Sequence, residues 1–113
     1  MDLLKAAIDH LDSELPCPVS SERPAEPPVE RVTVVRMGGG GSQFVDRARI
    51  LVHAWSSSDS SAYRLARMAE AAMFTLPGAE HNVAEVLQDS FYSNISADGT
   101  RRWSSAYIVT TNR

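Results

Sequence analysis

Few residues in this chain could do chemistry, and they lie far apart in the sequence. Gly38-Gly39-Gly40-Gly41-Ser42 comes first, because glycine-rich loops can cradle phosphates with their backbone amides. A phosphate loop also needs a Lys-Ser/Thr pair after its glycines and a helix behind them. Here Ser42-Gln43-Phe44 leads into a strand pattern, so the run reads as a flexible hairpin tip over residues 38–42. His10, His53 and His81 fall in separate segments, with no cysteine or carboxylate at metal-ligand spacing beside them. Cys17 stands alone between Pro16 and Pro18, so no intrachain disulfide can form and nothing nearby lowers its pKa. There is no Gly-x-Ser-x-Gly elbow and no readable acid–base pair, so we expect no enzyme, no metal and no cofactor.

Arginine is the other functional side chain. Arg47 and Arg49 share one face of a long strand pattern, and Arg101 and Arg102 open the last one. Arginine suits planar pairing with carboxylates at interfaces. The charge distribution supplies such partners. Net charge is −3, but residues 1–30 hold seven acids and two bases, whereas residues 31–113 hold seven acids and nine bases. An acidic side on one copy could meet a basic side on the next in a closed heterologous ring. No strongly basic patch of the kind that free nucleic-acid binding needs is visible.

These residues are positioned by an ordinary set of elements. The 113 residues, 43% hydrophobic and 22% charged, fit one folded domain with a modest core. Leu3, Leu4, Ala7, Ile8, Leu11 and Leu15 recur at helical spacing over residues 2–15, and Pro16 ends that helix. Residues 16–30 hold five of the six prolines and read as an extended strap, with a short strand at Val19–Ser20. Arg31–Met37 is a β-branched strand. Gln43–Trp55 is a long one, with Phe44, Ala48, Ile50, Val52 and Ala54 on an apolar face and Arg47, Arg49, Leu51, His53 and Trp55 opposite. Its length predicts a projecting hairpin arm.

A serine-rich cap at 56–61 leads into a helix to Leu76. Its stripe runs through Ala62, Leu65, Ala66, Ala69, Ala72 and Met73 until Pro77-Gly78 stops it. Val83–Gln88 is a strand, Asp89–Thr100 a polar loop holding the Asp98-Gly99 turn, and Arg102–Thr111 the last strand. This order predicts an α+β, two-layer domain with a mainly antiparallel mixed sheet of four to five strands and two helices on one face. The helices are expected to pack through Leu3, Ile8, Leu11, Leu65, Ala69 and Met73. The other face, with Leu51, Trp55, Trp103 and Tyr107, is expected to meet a neighbour. No apolar run is long enough for a membrane span and the N-terminus lacks a signal-peptide layout, so an intracellular product is expected.

Four stretches in this order resemble the tail terminator family of long-tailed (siphovirus-type) bacteriophages, of the actinobacterial-host type. They are the opening helix, and Val19-Ser20-Ser21-Glu22-Arg23-Pro24 leading to Val32-Thr33-Val34-Val35-Arg36 and Gly38-Gly39. Then come Ala48–Trp55 with the helix ending at Leu76-Pro77-Gly78, and Arg102–Val109 after Gly99. The resemblance spans nearly the whole chain. It implies a hexameric ring in the neck of the virion that sits on the finished tail tube, stops its growth and presents a surface for head–tail joining. The implied partners are further copies of the chain, the major tail tube protein and a head-completion or connector protein, with the genome DNA only passing through the lumen. The expected contact residues are Arg36, Gly38, Gly39, Gly40, Gly41, Arg47, Arg49, Trp55, Asp98, Arg101, Arg102 and Trp103. The four consecutive glycines depart from the short linker that the family carries at that point.

Two other readings compete. One is a different neck protein, such as a head-closure or tail-completion connector. The other is an RNA-binding module, since helix, three strands, helix is also the order of double-stranded RNA-binding domains. Those need basic residues at the start of the second helix, where this chain has Ser57-Ser58-Asp59-Ser60-Ser61.

Overall fold

A computed structural model describes residues 2–21, 30–80, 82–95 and 101–112. The first helix, α1, runs Leu3–Glu14. Asp2 caps it, its carboxylate accepting from the Lys5 amide at 3.1 Å, and Leu3, Ala7 and Leu11 form its buried stripe. A two-residue strand β1 (Val19–Ser20) follows, then β2 (Arg31–Gly41) and β3 (Val45–Ser56). Residues 22–29 of the expected strap lie outside the described residues.

The second helix, α2, runs Asp59–Phe74 and is capped by Ser58. Four of its six buried residues are alanines, so its backbone lies close to the sheet. A single helical turn, α3 (Leu76–Ala79), carries Pro77 in its first turn, where the missing amide costs nothing. The chain closes with β4 (Val83–Ile95) and β5 (Arg101–Asn112).

The five strands form one sheet in the order β1-β2-β3-β5-β4, with β1 parallel to β2 and every other pairing antiparallel. This is the expected α+β architecture. Register assigns the two faces. Ala48, Ile50, Val52 and Ala54 stand beside Val109, Tyr107, Ser105 and Trp103. Helix residues meet this face: Phe74 lies edge-on to Tyr107 and Tyr63 edge-on to Trp103. Leu3, Leu11, Leu65, Ala69 and Met73 join the core there, as expected, with Ile8 packed against it. Tyr107 is fully buried. Trp103 and Tyr107 therefore belong to the helix-covered face, not to the opposite one with Leu51 and Trp55. A one-residue change of pairing exchanges the two faces of a strand, and the alternation within β5 alone does not fix which way it falls.

Two predicted loops are strands. Gly39, Gly40 and Gly41 pair with Ala48, Arg47 and Asp46, and the ladder shifts register between Arg36 and Gly39. Gly38 and Gly39 have φ of +102° and +140°, so this bulge needs glycine. The turn itself is Ser42–Val45. The Ser42 amide donates to the Val45 carbonyl at 2.8 Å, and the serine hydroxyl accepts from the Phe44 and Val45 amides. Phe44 sits at the tip, 71% exposed, rather than on the apolar face. Likewise Asp89–Ile95 extends β4, and residues 96–100, with Asp98-Gly99, lie outside the described residues.

Candidate interaction surface

The sheet face away from the helices carries an ordered set of polar and aromatic side chains in cross-strand rows. At one end Arg31, Trp55 and Arg102 occupy one row across β2, β3 and β5. The Arg31 guanidinium carbon lies 4.5 Å and that of Arg102 5.1 Å from the centre of the Trp55 ring. The indole thus faces two cations, a geometry that favours both through its quadrupole. Its N–H donates to Thr33 Oγ1 at 3.2 Å, which locks the ring orientation.

The next row holds Thr33, His53 and Ser104. His53 Nδ1 and Ser104 Oγ share a hydrogen bond of 2.6 Å. A serine–histidine contact of this length invites a nucleophile reading. The surroundings do not suit it. Ser104 is fully buried, and burial, with the nearby Arg102 charge, pushes the His53 pKa down to about 4, which makes it a weak base at neutral pH. This pair is a neutral polar tie between strands.

Further along, Arg49 on β3 reaches over β5 to Asp89 on β4, with Nη1 2.6 Å from Oδ2. Val35 and Leu87 lie on this face near the two margins of the sheet and are exposed. The last rows belong to the hairpin arm. Arg36 stands beside Ile50 on the helix side, and its Nη2 lies 3.3 Å from Asp46 Oδ2. Arg47, beside Gly40 on the outer side, is exposed and has no ion-pair partner among the described residues.

The expected contact residues therefore separate into groups. Trp55 and Arg102 come together at one end, joined by Arg31, which periodicity alone did not single out. Arg36, Gly38, Gly39, Gly40, Gly41 and Arg47 gather on the arm at the other end. Arg49 lies between them, tied to Asp89 within the chain. Arg101 opens β5 beside Ser56 and Ile95. Trp103 stands apart on the helix side, where its indole N–H donates to Asp59 at 3.1 Å and its ring packs on Tyr63 and Phe91. Arg67 caps this aromatic cluster, 4.3 Å from the centre of the Phe91 ring. The cluster ties β4 and β5 to α2, so its role is structural.

Among the described residues, the helix side gathers no reactive groups. A shallow groove of about 270 Å³ between α1 and α2 is lined by Glu14, Met68, Ala71, Ala72 and Thr75 and offers one carboxylate. His10 is spent on the end of α2, its Nε2 lying 3.0 Å from the Ala72 carbonyl and 2.9 Å from Thr75 Oγ1. Burial pushes the Cys17 thiol up to about 11. No group of three or more potential ligands is placed to hold a metal among the described residues, and no described helix is long and apolar enough to cross a membrane.

No protein-family model matches this chain, and no curated protein matches it significantly.

Proposed function

We propose that this chain is a ring-forming virion structural protein, a tail terminator that caps the tail tube and provides the head–tail joining surface. The carrying observation is the sheet itself. One face is sealed by helices, while the other carries polar and aromatic rows, with Arg31, Thr33 and Ser104 buried among them. It ends in a glycine hairpin level with the ends of β4 and β5, with Phe44 at its tip 71% exposed and Arg47 free of an ion pair among the described residues. The molecule is long for its size, 44 × 25 × 23 Å. Such a shape suits a wedge in a ring, with contact surfaces at its margins rather than a pocket at its centre. The resemblance in element order to tail terminators supports the same reading.

In this reading the ring stops growth by geometry, its upper surface lacking the edge that the next tube ring would use. The other expected partners are the major tail tube protein and a head-completion or connector protein, and genome DNA passes through the lumen. An RNA-binding role is disfavoured because α2 starts at Asp59, with no base before Arg64.

Purified chain incubated with short tail tubes tests the proposal. Rings at one end of capped, non-growing tubes are the expected result in electron micrographs. Tubes that elongate unchanged would overturn it, and binding to head connectors alone would move the chain to another position in the neck.

A further inference from the structure

The sheet ends in two margins that the described chain leaves open. On one side, β1 pairs only with Val32 and Thr33, so no described strand lies beside β2 from Val34 to Gly41. On the other side, β4 is an edge strand along all of Val83–Ile95. Unpaired strand edges are templates for another strand, and soluble proteins commonly block them with proline or lysine. Neither residue occurs in 34–41 or 83–95.

The two margins match in level, direction and chemistry, and both are bulged, β2 between Arg36 and Gly39 and β4 at Val83/Glu85 and Gln88/Ser90. Following the ladder across the sheet, Val34 is level with Val52, Ser105 and Phe91, and Gly41 is level with Asp46, Thr111 and Val83. The open stretch of β2 therefore faces away at the same height as residues 83–91 of β4. Directions alternate along β2, β3, β5 and β4, so β4 runs opposite to β2. Rotation about an axis roughly along the strands preserves those directions. It would set β4 of one copy antiparallel to β2 of the next, and this repeats at every junction. Both margins carry exposed apolar side chains, Met37 at 57% and Leu87 at 53%. The charges complement each other as well. Arg47 stands behind Gly40, where a side chain would meet nothing within 4 Å, and exposed Glu85 lies on the opposite margin at the same level.

We propose that the β4 edge of one copy pairs with the Val34–Gly41 edge of the next. The contact is heterologous, and the four long strands of each copy join into one continuous antiparallel sheet around the ring. The absence of a side chain at Gly40 leaves room for Arg47 to reach across it to Glu85 of the next copy. Ring closure rests on the proposed function, but the edge pairing does not. A chain that assembles through these edges yet ignores tail tubes keeps this inference and loses the tail reading. A chain that caps tubes with both edges open does the reverse.

The experiment uses the full chain and two variants, Met37→Lys on the β2 margin and Leu87→Lys on the β4 margin, with native mass spectrometry and circular dichroism. Wild-type chain is expected to form closed oligomers. Each variant alone is expected to be a folded monomer, because each has one damaged edge. Mixed together, they are expected to form a one-to-one heterodimer that goes no further, from the intact β2 edge of Leu87→Lys and the intact β4 edge of Met37→Lys. A wild type that stays monomeric at its highest soluble concentration overturns the proposal. So does either variant dimerising alone, which would mean like edges pair, and so do variants that assemble as wild type does. Should a lysine variant fail to fold, Met37→Thr and Leu87→Thr are read the same way.

Discussion

Arg49 and Asp89 form an ion pair of 2.6 Å that spans β5 and ties β3 to β4 within one chain. Both side chains are a little over 40% exposed, so the pair contributes about 1 kcal/mol or less. Arg49→Glu is expected to lower the melting temperature by a few degrees, because it sets a carboxylate against Asp89. Under monomeric conditions Arg47→Glu is expected to leave the melt unchanged, and at higher concentration to weaken self-association. Thermal melts paired with native mass spectrometry separate the two. Equal melting losses in both variants would contradict the assignment.

The four glycines make different demands. A Cβ on Gly39 would run into the Arg47 carbonyl oxygen, and its φ of +140° already excludes most side chains. Gly39→Ala is expected to cost about 1–3 kcal/mol in urea unfolding. Gly40 has no such constraint, since its φ is not positive and a Cβ there meets nothing within 4 Å. In the monomer, Gly40→Ala is expected to stabilise by about 0.4–1 kcal/mol through loss of unfolded-state freedom. Equal destabilisation by both substitutions would mean that the arm is not the paired strand described above.

Local patterns carry much of this fold. The Leu3, Ala7 and Leu11 stripe, the Asp2 and Ser58 caps and the alternation through Ala48–Ala54 all announce their elements. Glycine propensity points away from a strand at 38–41, and only pairing with β3, eased by a bulge at positive φ, makes one. Residues 89–95 look like part of a loop because Asp89, Ser90, Ser93 and Asn94 are polar. β4 is an edge strand with one face away from the helices, so polar Asp89, Ser90 and Ser93 can sit in it. The Arg31, Trp55 and Arg102 row depends on register between three strands far apart in sequence. Trp55 and Arg102 are recognisable as exposed-face candidates, but their meeting is not.

His53 makes stability depend on pH. Its folded pKa of about 4 lies below the usual 6.5 because burial and Arg102 disfavour the charged ring. Between those values the unfolded chain binds the extra proton, so stability rises with pH through that window. The contribution is complete above about pH 6.5 and is lost as pH falls toward 4. The ring is partly solvated, so the loss is about 1–2 kcal/mol rather than the full linkage value. Urea midpoints from pH 7 to 4 measure it, with His53→Asn as the control. A variant that keeps the wild-type slope would assign the effect to carboxylates elsewhere.

Trp55 and Trp103 are expected to respond unequally to truncation, since they lie on opposite faces of the sheet. Trp103 packs on Tyr63 at 5.0 Å and Phe91 at 5.2 Å between ring centres and donates to Asp59. Trp103→Ala removes the joint between α2 and the β4–β5 edge, at a cost of about 3–5 kcal/mol. That loss should appear in the melt of the monomer and reduce assembly only as far as it unfolds the chain. Trp55 lies over two guanidinium groups and is held by one hydrogen bond to Thr33, with no helix above it. Trp55→Ala is expected to cost less in the monomer, about 1–2 kcal/mol, from lost cation–π and hydrogen-bond energy. Denaturant titration of both variants under monomeric conditions checks the order. A larger loss at Trp55 would mean that the outer face, not the helix face, holds the main aromatic packing.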